Sequence, residues 1–285
     1  NRTYDPSGAK RLHWRLFSYS RASMSSYRPT SARRSRPAVT AAQPPAVANK
    51  AATPLGWMHT ARFLTTAAQL DQLPPLDVPE IAFVGRSNAG KSTCINTLTQ
   101  QRQLAFASKT PGRTQHINLF VLGKQGITDA VLADLPGYGY AAVPLADKRR
   151  WQQVMANYLH QRANLAGIVM LCDARLGLTE LDELLLEVIR PRVEQGLHFL
   201  VLLTKADKLT RSEQTKALQI ARLQAGGGSV QMFSALKRQG VGEAALWLRQ
   251  QVEATQQDMA DDGGTADDGD DHPADDGAED LPGED

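Results

Sequence analysis

The sequence predicts an α/β fold in which a mostly parallel sheet carries helices on both of its faces. Short and almost wholly apolar segments alternate along the chain with longer segments whose apolar residues recur at helical spacing. Strands that are apolar throughout are typical of parallel sheets, because helices cover both of their faces. In folds of this class a ligand binds at the carboxyl ends of the strands. The loops that follow the strands are therefore the first places to search for a functional site.

The predicted strands are short and are bounded by glycine or polar residues. The first of them is a four-residue apolar run that ends at Gly85, which is typical of a buried strand. Strands are predicted over residues 81–84, 117–122, 130–133, 167–171, 198–203 and 230–233.

The predicted helices are amphipathic. Trp151, Val154 and Tyr158 lie three or four positions apart, which is the spacing of an apolar stripe along one helix face. Pro191 is expected to end the helix before it, because proline cannot donate a backbone hydrogen bond. Helices are predicted over residues 91–98, 151–159, 181–189, 211–224 and 241–252.

Charge is distributed unevenly along the 285 residues, although the formal net charge is only +2. Residues 1–70 hold 11 lysines and arginines against one acidic residue, while residues 253–285 hold 14 acidic residues and no basic one. Neither end has the apolar content to offset the conformational entropy lost on folding. We therefore predict a disordered basic extension over residues 1–57, one folded domain over residues 58–257 and a disordered acidic tail over residues 258–285.

The basic extension has two interpretations. The sequence begins at Asn1, so the extension is expected to come from an upstream start, with Met24 or Met58 as the first residue of the functional protein. Termini rich in arginine and serine and poor in acidic residues are also typical of organellar transit peptides. The first interpretation places the protein in the cytoplasm, and the second places it in an organelle matrix.

Composition excludes several classes of protein. No segment reaches the 18 or more consecutive apolar residues of a membrane-spanning helix, so no membrane partner is expected. The two cysteines, Cys94 and Cys172, lie far apart and form no CxxC motif, which excludes a disulfide scaffold and a structural zinc site. A monomer in a reducing compartment is expected.

The loop after the first predicted strand matches the pattern GxxxxGK[ST]. It reads Gly85-Arg86-Ser87-Asn88-Ala89-Gly90-Lys91-Ser92 and opens a predicted helix. Backbone N–H groups of such a P-loop converge on phosphate oxygens, and the positive end of the helix dipole adds to the attraction. Lys91 is expected to reach the β- and γ-phosphates of a nucleotide, and the Ser92 hydroxyl is expected to ligate Mg²⁺.

A second loop, Asp134-Leu135-Pro136-Gly137, follows the strand predicted over residues 130–133. A carboxylate in this place can hold Mg²⁺ through water, while the Gly137 N–H can sense a γ-phosphate. The pattern DxxG is common in loops by itself. Its position about forty residues after the P-loop favours the functional interpretation.

Two further loops are suited to a guanine base. In Thr204-Lys205-Ala206-Asp207 the carboxylate can accept hydrogen bonds from guanine N1–H and N2–H₂, whereas adenine has an acceptor at N1 and no amino group at C2. The stem of Lys205 can lie along the base. The loop Ser234-Ala235-Leu236, which follows the strand predicted over residues 230–233, can present a backbone N–H to guanine O6, and Phe233 at the end of that strand is included in the predicted site. The four loops predict a site for GTP or GDP with Mg²⁺.

Together these loops are similar to the motifs of translation-factor-type P-loop GTPases. The detailed sequences of these motifs resemble those of the bacterial EngB (YihA/YsxC) family of ribosome-biogenesis GTPases. The resemblance covers about residues 58–252 and neither end of the chain. The segments that carry it are GRSNAGKST (85–93), KTPGRTQHIN (109–118), DLPGYGYA (134–141), TKADKL (204–209) and FSALK (233–237).

The resemblance implies a three-layer P-loop GTPase domain that hydrolyses GTP slowly and acts as a molecular switch. It implies that Lys91, Thr114 and Gly137 serve the hydrolytic step, with Thr114 closing on Mg²⁺ and the γ-phosphate. Family members are implied to bind the large ribosomal subunit or its precursor, including rRNA and ribosomal proteins, in the bacterial cytoplasm. They are implied to assist late assembly of that subunit and to be needed for normal cell division and septation. The implied switch I segment that contacts the nucleotide is Gly112-Arg113-Thr114-Gln115-His116.

Three positions bear on the rate of hydrolysis and on the strength of the site. Thr204 stands where most GTPases have asparagine, which is expected to weaken one bond that anchors the loop. Tyr138 stands where Ras-like enzymes have the glutamine that orients the attacking water, so intrinsic hydrolysis is expected to be slow. Asn88 matches the P-loop asparagine of potassium-activated GTPases, and K⁺ or the ribosomal particle is expected to supply the missing stimulation.

Two functional interpretations stay open at this point. In the first, hydrolysis resets a switch that controls ribosome assembly. In the second, the protein is a nucleotide-gated module that binds rRNA or the ribosome, and its hydrolysis is incidental. The basic cluster Lys148-Arg149-Arg150 is either a solvated helix face or a contact for the rRNA backbone.

Overall fold

The computed structural model describes residues 53–105, 116–124, 126–139 and 145–263 of the chain. The strands within these residues are β1 Arg62–Ala67, β2 Glu80–Gly85, β3 Ile117–Leu122, β4 Ala130–Asp134, β5 Leu165–Asp173, β6 His198–Thr204 and β7 Ser229–Met232. The helices are α1 Pro54–Met58, α2 Lys91–Leu98, α3 Leu145–Gln161, α4 Glu180–Val193, α5 Arg211–Ala225 and α6 Val241–Gly263. Two short 3₁₀ helices lie at Leu70–Gln72 and Ala206–Lys208.

The seven strands form one mostly parallel sheet, as predicted, in the order β1-β3-β4-β2-β5-β6-β7. Strands β4, β2, β5, β6 and β7 pair in parallel, whereas β3 pairs antiparallel with β4 and with β1. The connection between β3 and β4 is too short for parallel pairing, which requires a crossover of about a dozen residues. The carboxyl ends of the five parallel strands consequently lie along one edge of the sheet.

Residues of each central strand alternate between two hydrophobic clusters, one on each face of the sheet. In β5, Ile168 and Met170 belong to the cluster that includes residues of α3, α4 and α5. Val169 and Leu171 belong to the cluster that includes residues of α1, α2 and α6. The molecule therefore has three layers, which confirms the predicted fold class with helices on both faces of the sheet.

The folded unit begins before residue 58, where the domain boundary was predicted. Trp57, in α1, is 3% exposed. Its indole N–H donates to Asp129 Oδ2 at 3.2 Å, and the Arg249 guanidinium of α6 lies 5.0 Å from the centre of its ring. Because Trp57 packs beneath α6, the boundary at residue 58 is corrected to include α1.

The carboxyl-terminal boundary at residue 257 is also corrected, because α6 continues to Gly263. The apolar stripe that predicted this helix ends at Val252, which is fully buried, and most residues that follow are exposed. Helical turns that do not pack against the core need no apolar stripe. The stripe therefore predicted only the packed part of α6.

The prediction that Pro191 ends a helix is wrong, since Pro191 lies inside α4. A proline so close to the end of a helix removes one backbone hydrogen bond and leaves the last turn intact. No helix in the described part of the chain is long and apolar enough to cross a bilayer.

Candidate nucleotide-binding site

The P-loop runs from the carboxyl end of β2 into the first turn of α2. Gly85 ends the strand and Lys91 begins the helix, with Gly90 as the capping residue between them. Gly90 has a φ of 95°, which is the left-handed region where a side chain would be strained. The N–H of Ala89 donates to the Arg86 carbonyl at 3.0 Å and closes the turn. This turn places the positive end of α2 at the edge of the sheet, which is suited to phosphate binding.

Lys91 and Asp134 connect the P-loop with the loop after β4. Lys91 is 8% exposed, Asp134 at the end of β4 is 1% exposed, and Lys91 Nζ donates to Asp134 Oδ1. The pairing offsets the cost of taking both charges out of water. An ammonium group has three N–H donors, so Lys91 can contact Asp134 and phosphate oxygens together.

The loop after β4 is also bonded to the P-loop through the backbone. The Ser87 N–H donates to the Tyr138 carbonyl at 2.8 Å, and the Tyr138 N–H donates to the Gly85 carbonyl at 3.3 Å. A Cβ atom on Gly137 would lie 3.3 Å from both the nitrogen and the Cα of Ser87. A residue larger than glycine would therefore push the two loops apart, and Gly137 keeps its backbone beside the P-loop.

The Tyr138 side chain is bound to α4. Tyr138 is 6% exposed, and its hydroxyl donates to Asp182 Oδ1 at 2.6 Å. The other oxygen of Asp182 accepts from the Thr179 N–H at 2.8 Å and from the Thr179 hydroxyl at 2.7 Å. Burial, and then the charge of Asp182, raises the pKa of Tyr138 well above its usual range. The phenol therefore keeps its proton, and that proton is donated to Asp182.

Thr204 anchors the loop after β6 to the P-loop. This residue is 3% exposed, and its hydroxyl lies 2.6 Å from the Ala89 carbonyl and 3.1 Å from the Cys172 carbonyl. A hydroxyl has one proton, and the shorter contact identifies Ala89 as the main acceptor. The expectation of a weakened anchor at Thr204 is therefore not supported, because the threonine makes a short bond to the P-loop.

Lys205 forms a second connection between the same two loops. It has a φ of 57°, and its Nζ donates to the Asn88 carbonyl at 2.8 Å and to Asp173 Oδ2 at 2.9 Å. Asp173 ends β5 and also accepts from Arg175 Nε at 2.9 Å and Arg175 Nη2 at 2.7 Å. The hydrogen bonds from Arg175, followed by the one from Lys205, hold the pKa of Asp173 well below its usual range.

Asp207 and the loop after β7 complete this edge of the sheet. The Ser234 hydroxyl donates to Asp207 Oδ1 at 2.6 Å, and the Ala206 N–H donates to the Phe233 carbonyl at 3.1 Å. The hydrogen bond from Ser234 is the main cause that lowers the pKa of Asp207. Asp207 is therefore an ionised acceptor, as recognition of a guanine edge requires.

The donor atoms at this edge fit Mg²⁺, which prefers oxygen ligands. Ser92 lies in the first turn of α2, and Asp134 lies at the end of β4. No group of three or more His, Cys, Asp or Glu residues forms a metal site in the part of the chain that is described. A magnesium ion here would rest on the Ser92 hydroxyl, phosphate oxygens and water, with Asp134 reached through water.

The structure brings the four predicted loops together at one edge of the sheet. Within them, Leu135 and Phe233 are 0% and 1% exposed, so these two residues can offer a ligand only their main-chain atoms. His116 is exposed and immediately precedes β3. Four predicted switch I residues lie outside the described residues, namely Gly112, Arg113, Thr114 and Gln115. The side chains of Lys148, Arg149 and Arg150 in α3 lie outside them as well.

Two residues near the site were not predicted. Asp173 follows a buried strand, so the rule that sites lie at strand ends would have found it if the loop after β5 had been included. Asp182 is the last residue of a Thr-x-x-Asp capping pattern, which predicts the start of a helix. Nothing in that pattern indicates that Asp182 also accepts from Tyr138.

A P-loop, a DxxG loop and a TKAD loop at the carboxyl edge of a mostly parallel sheet are the features of a GTP-binding domain of the P-loop class. Residues 80–205 match the family described as 50S ribosome-binding GTPase. A crystal structure of an Era variant from Aquifex aeolicus has a TM-score of 0.52 at 20% identity and covers 62% of this chain and 57% of its own. That likeness supports the fold.

Two relatives identify the family. The chain is 76% identical over 206 residues to the probable GTP-binding protein EngB of Acidovorax ebreus (strain TPSY), covering 72% of this chain and 94% of that protein. It is 52% identical over 205 residues to the probable GTP-binding protein EngB of Burkholderia thailandensis, covering 67% and 92%. The chain belongs to the EngB family of GTP-binding proteins, which confirms the resemblance found in the sequence.

Proposed function

We propose that this protein is a GTP-hydrolysing switch that acts in late assembly of the large ribosomal subunit and is needed for normal cell division and septation. The observation that carries the nucleotide-binding part of the proposal is the bonding of the P-loop to both neighbouring loops. Ser87 bonds to Tyr138 on the phosphate side, and Ala89 bonds to Thr204 on the base side. Recognition of guanine and recognition of the phosphates thus belong to one connected unit.

The phosphate side of the site is assigned to the P-loop and to the loop after β4. Lys91 neutralises charge on the β- and γ-phosphates, the backbone of residues 85–92 binds the phosphate oxygens, and the Gly137 N–H contacts the γ-phosphate. Ser92 and Thr114 hold Mg²⁺, which screens the phosphate charge when it is bound. Gly112, Arg113, Gln115 and His116 are assigned to contacts with the nucleotide, as the resemblance to the family implies.

The base side is assigned to the loops after β6 and β7. Asp207 accepts from guanine N1–H and N2–H₂, Lys205 lies along the base, and the backbone of residues 233–235 meets guanine O6. An adenine base has an acceptor at N1 and no amino group at C2, so the Asp207 carboxylate would lose its hydrogen bonds to the base, which costs about 1–3 kcal/mol or more. GTP and GDP are therefore the ligands, and ATP is not.

Slow intrinsic hydrolysis is supported by Tyr138. The Tyr138 hydroxyl donates to Asp182 Oδ1, with 2.6 Å between the two oxygens. The residue that stands in place of the water-orienting glutamine therefore does not donate that proton to the attacking water. Stimulation of hydrolysis then requires a group other than the Tyr138 side chain. We assign it to the ribosomal particle and to a K⁺ ion held near Asn88, where positive charge would offset charge that develops on the phosphates.

The partner is the large ribosomal subunit or its precursor, through rRNA and ribosomal proteins, and the place of action is the bacterial cytoplasm. Support comes from the family match over residues 80–205 and from relatives that are bacterial proteins. The position of Tyr138 also favours a second interpretation, in which the chain is a nucleotide-gated assembly module and hydrolysis is incidental. Single-turnover hydrolysis with and without ribosomal subunits separates the two, because only the first interpretation requires stimulation.

The experiment that tests the proposal is co-sedimentation of the full chain with large ribosomal subunits and with their precursors. It is performed with GDP and with a non-hydrolysable GTP analogue, at two salt concentrations. We expect pelleting that requires the analogue and survives moderate salt. Pelleting that is absent, or that is the same with GDP, contradicts a nucleotide-dependent ribosome switch.

The matched control is the Asp207→Asn variant. An amide donates to the O2 of xanthine and no longer pairs with the guanine amino group. This variant should pellet with a xanthosine triphosphate analogue and fail to pellet with the guanosine analogue. The control separates an effect of the bound nucleotide from a general loss of ribosome affinity.

A further inference from the structure

Asp173 lies at the carboxyl end of β5. In the sheet, β5 lies between β2, which leads into the P-loop, and β6, which leads into the loop Thr204-Lys205-Ala206-Asp207. It is 8% exposed, and both of its oxygens accept hydrogen bonds. Neither the P-loop pattern nor the TKAD pattern includes this residue. Its position at the edge where the nucleotide site is proposed suggests a role beyond stability.

The ammonium group of Lys205 is held from two sides. One acceptor is Asp173 Oδ2 at 2.9 Å, and the other is the Asn88 carbonyl of the P-loop at 2.8 Å. Lys205 itself is about one-third exposed, with a side-chain exposure of 36%. A lysine side chain has four rotatable bonds, and an exposed one samples many rotamers unless its end is fixed.

Arg175 fixes the carboxylate that fixes Lys205. Its guanidinium makes two hydrogen bonds to Asp173, at 2.9 and 2.7 Å, and its backbone N–H makes a third, at 3.1 Å. Paired contacts of this kind define the plane of a carboxylate as well as its position. Asp173 therefore presents Oδ2 to Lys205 in one orientation.

We propose that Asp173 is a positioning residue of the guanine-nucleotide site, which holds the Lys205 ammonium against the P-loop so that the lysine stem is in place beside the base before nucleotide arrives. The inference rests on the proposed nucleotide site. It adds that the end of β5 contributes to nucleotide affinity through Lys205 and without touching the ligand. The conformational entropy of the Lys205 side chain is then lost when the protein folds rather than when the nucleotide binds.

The test is a double-mutant cycle on nucleotide affinity, measured by fluorescence with labelled GDP and with a labelled, non-hydrolysable GTP analogue. The full chain is compared with Asp173→Asn, Lys205→Met and the double variant. We expect Asp173→Asn to raise Kd about tenfold for both nucleotides, because Lys205 must then be ordered on binding. The two nucleotides should be affected equally, since the contact is on the base side.

In the Lys205→Met background, Asp173→Asn should change Kd by less than about twofold, because the group that Asp173 positions has been removed. A merely structural role would give the same loss in both backgrounds. The unfolding temperature of the nucleotide-free variants, measured alongside, separates any loss of folded protein from a loss of affinity.

Arg175→Gln supplies a graded comparison, since it removes the guanidinium that orients Asp173 and leaves Lys205 and the carboxylate in place. We expect its Kd to rise by about threefold, less than in Asp173→Asn, because the carboxylate still accepts from Lys205. An unchanged Kd in Asp173→Asn, or a loss that persists in full with Lys205→Met, overturns the inference. Failure of the unmodified chain to bind labelled GDP would overturn the proposed nucleotide site itself, which is a different result.

Discussion

The hydroxyl of Tyr138 donates to the buried carboxylate of Asp182 at 2.6 Å and thereby ties the loop after β4 to the first turn of α4. The backbone of Tyr138 is bonded to the P-loop at the same time. One residue therefore joins the phosphate side of the site to a helix on one face of the sheet. We therefore expect a displacement of Gly137, the preceding residue, to change the hydrogen bond between Tyr138 and Asp182 in α4.

Tyr138→Phe tests the role of that hydroxyl. We expect the free energy of unfolding to fall by about 1–3 kcal/mol, because Asp182 is 1% exposed and loses a donor. The intrinsic rate of GTP hydrolysis should stay within about twofold, since the lost proton faced Asp182 and not water. Chemical denaturation and single-turnover hydrolysis measure the two quantities. A large fall in the rate with unchanged stability would show instead that the phenol acts on the nucleotide.

Thr204→Val tests the hydrogen bond that anchors the loop after β6 to the P-loop. Valine matches threonine in shape and removes the hydroxyl that lies 2.6 Å from the Ala89 carbonyl. A net loss of about 1 kcal/mol is expected, which is close to a fivefold increase in Kd for GDP. Thr204→Ser keeps the hydroxyl and is the control, with an expected change below about twofold. Equal losses in the two variants would attribute the effect to packing rather than to the hydrogen bond.

Most of the fold could be predicted because its central strands and packed helices carry clear patterns. β3 was predicted with its observed bounds, and β2, β4 and β6 within one or two residues. The edge strand β1 was not predicted, since its residues are mostly exposed and show no alternation between a buried and an exposed face. Such a strand depends on pairing with β3, which a local pattern cannot reveal.

The site was predictable at the level of loops and not at the level of contacts. The P-loop and TKAD patterns place Lys91 and Asp207 because spacing within one loop is encoded locally. The pairing of Tyr138 with Asp182, or of Lys205 with Asp173, joins residues that lie far apart in the chain. Such pairs follow from the order of strands in the sheet, which the sequence pattern leaves undetermined.

Tyr158→Phe tests a buried polar cluster at the opposite edge of the sheet. The Tyr158 hydroxyl donates to Glu80, which is fully buried and is also bonded by Arg162 at 3.0 and 3.1 Å. Removal of the hydroxyl should lower the free energy of unfolding by about 1–2 kcal/mol at neutral pH. Glu253→Ala, which removes an exposed contact with Arg249, is the control and should cost less than about 0.5 kcal/mol.

The same pair of proteins gives a pH prediction. Burial, followed by the charge of Glu80, raises the pKa of Tyr158 in the folded protein well above its ordinary value of 10. The folded state thus keeps a proton that the unfolded state releases, so this contribution is present in full below pH 10 and is lost as the pH rises beyond it. The stability difference between the unmodified chain and Tyr158→Phe should narrow above pH 10. A constant difference up to the alkaline limit of folding would contradict the assignment.

Asn88→Gly tests the proposed activation by potassium. Asn88 has a φ of 66°, so glycine keeps the backbone conformation while it removes the side-chain amide. The unmodified chain should hydrolyse GTP about tenfold faster in KCl than in NaCl at equal ionic strength, because K⁺ near Asn88 offsets charge that develops on the phosphates. The variant should lose that difference and keep its Kd for GDP within about threefold, since the Asn88 carbonyl still accepts from Lys205. Equal rates of the unmodified chain in the two salts would remove K⁺ from the mechanism. Stimulation that survives in Asn88→Gly would place the ion elsewhere in the site.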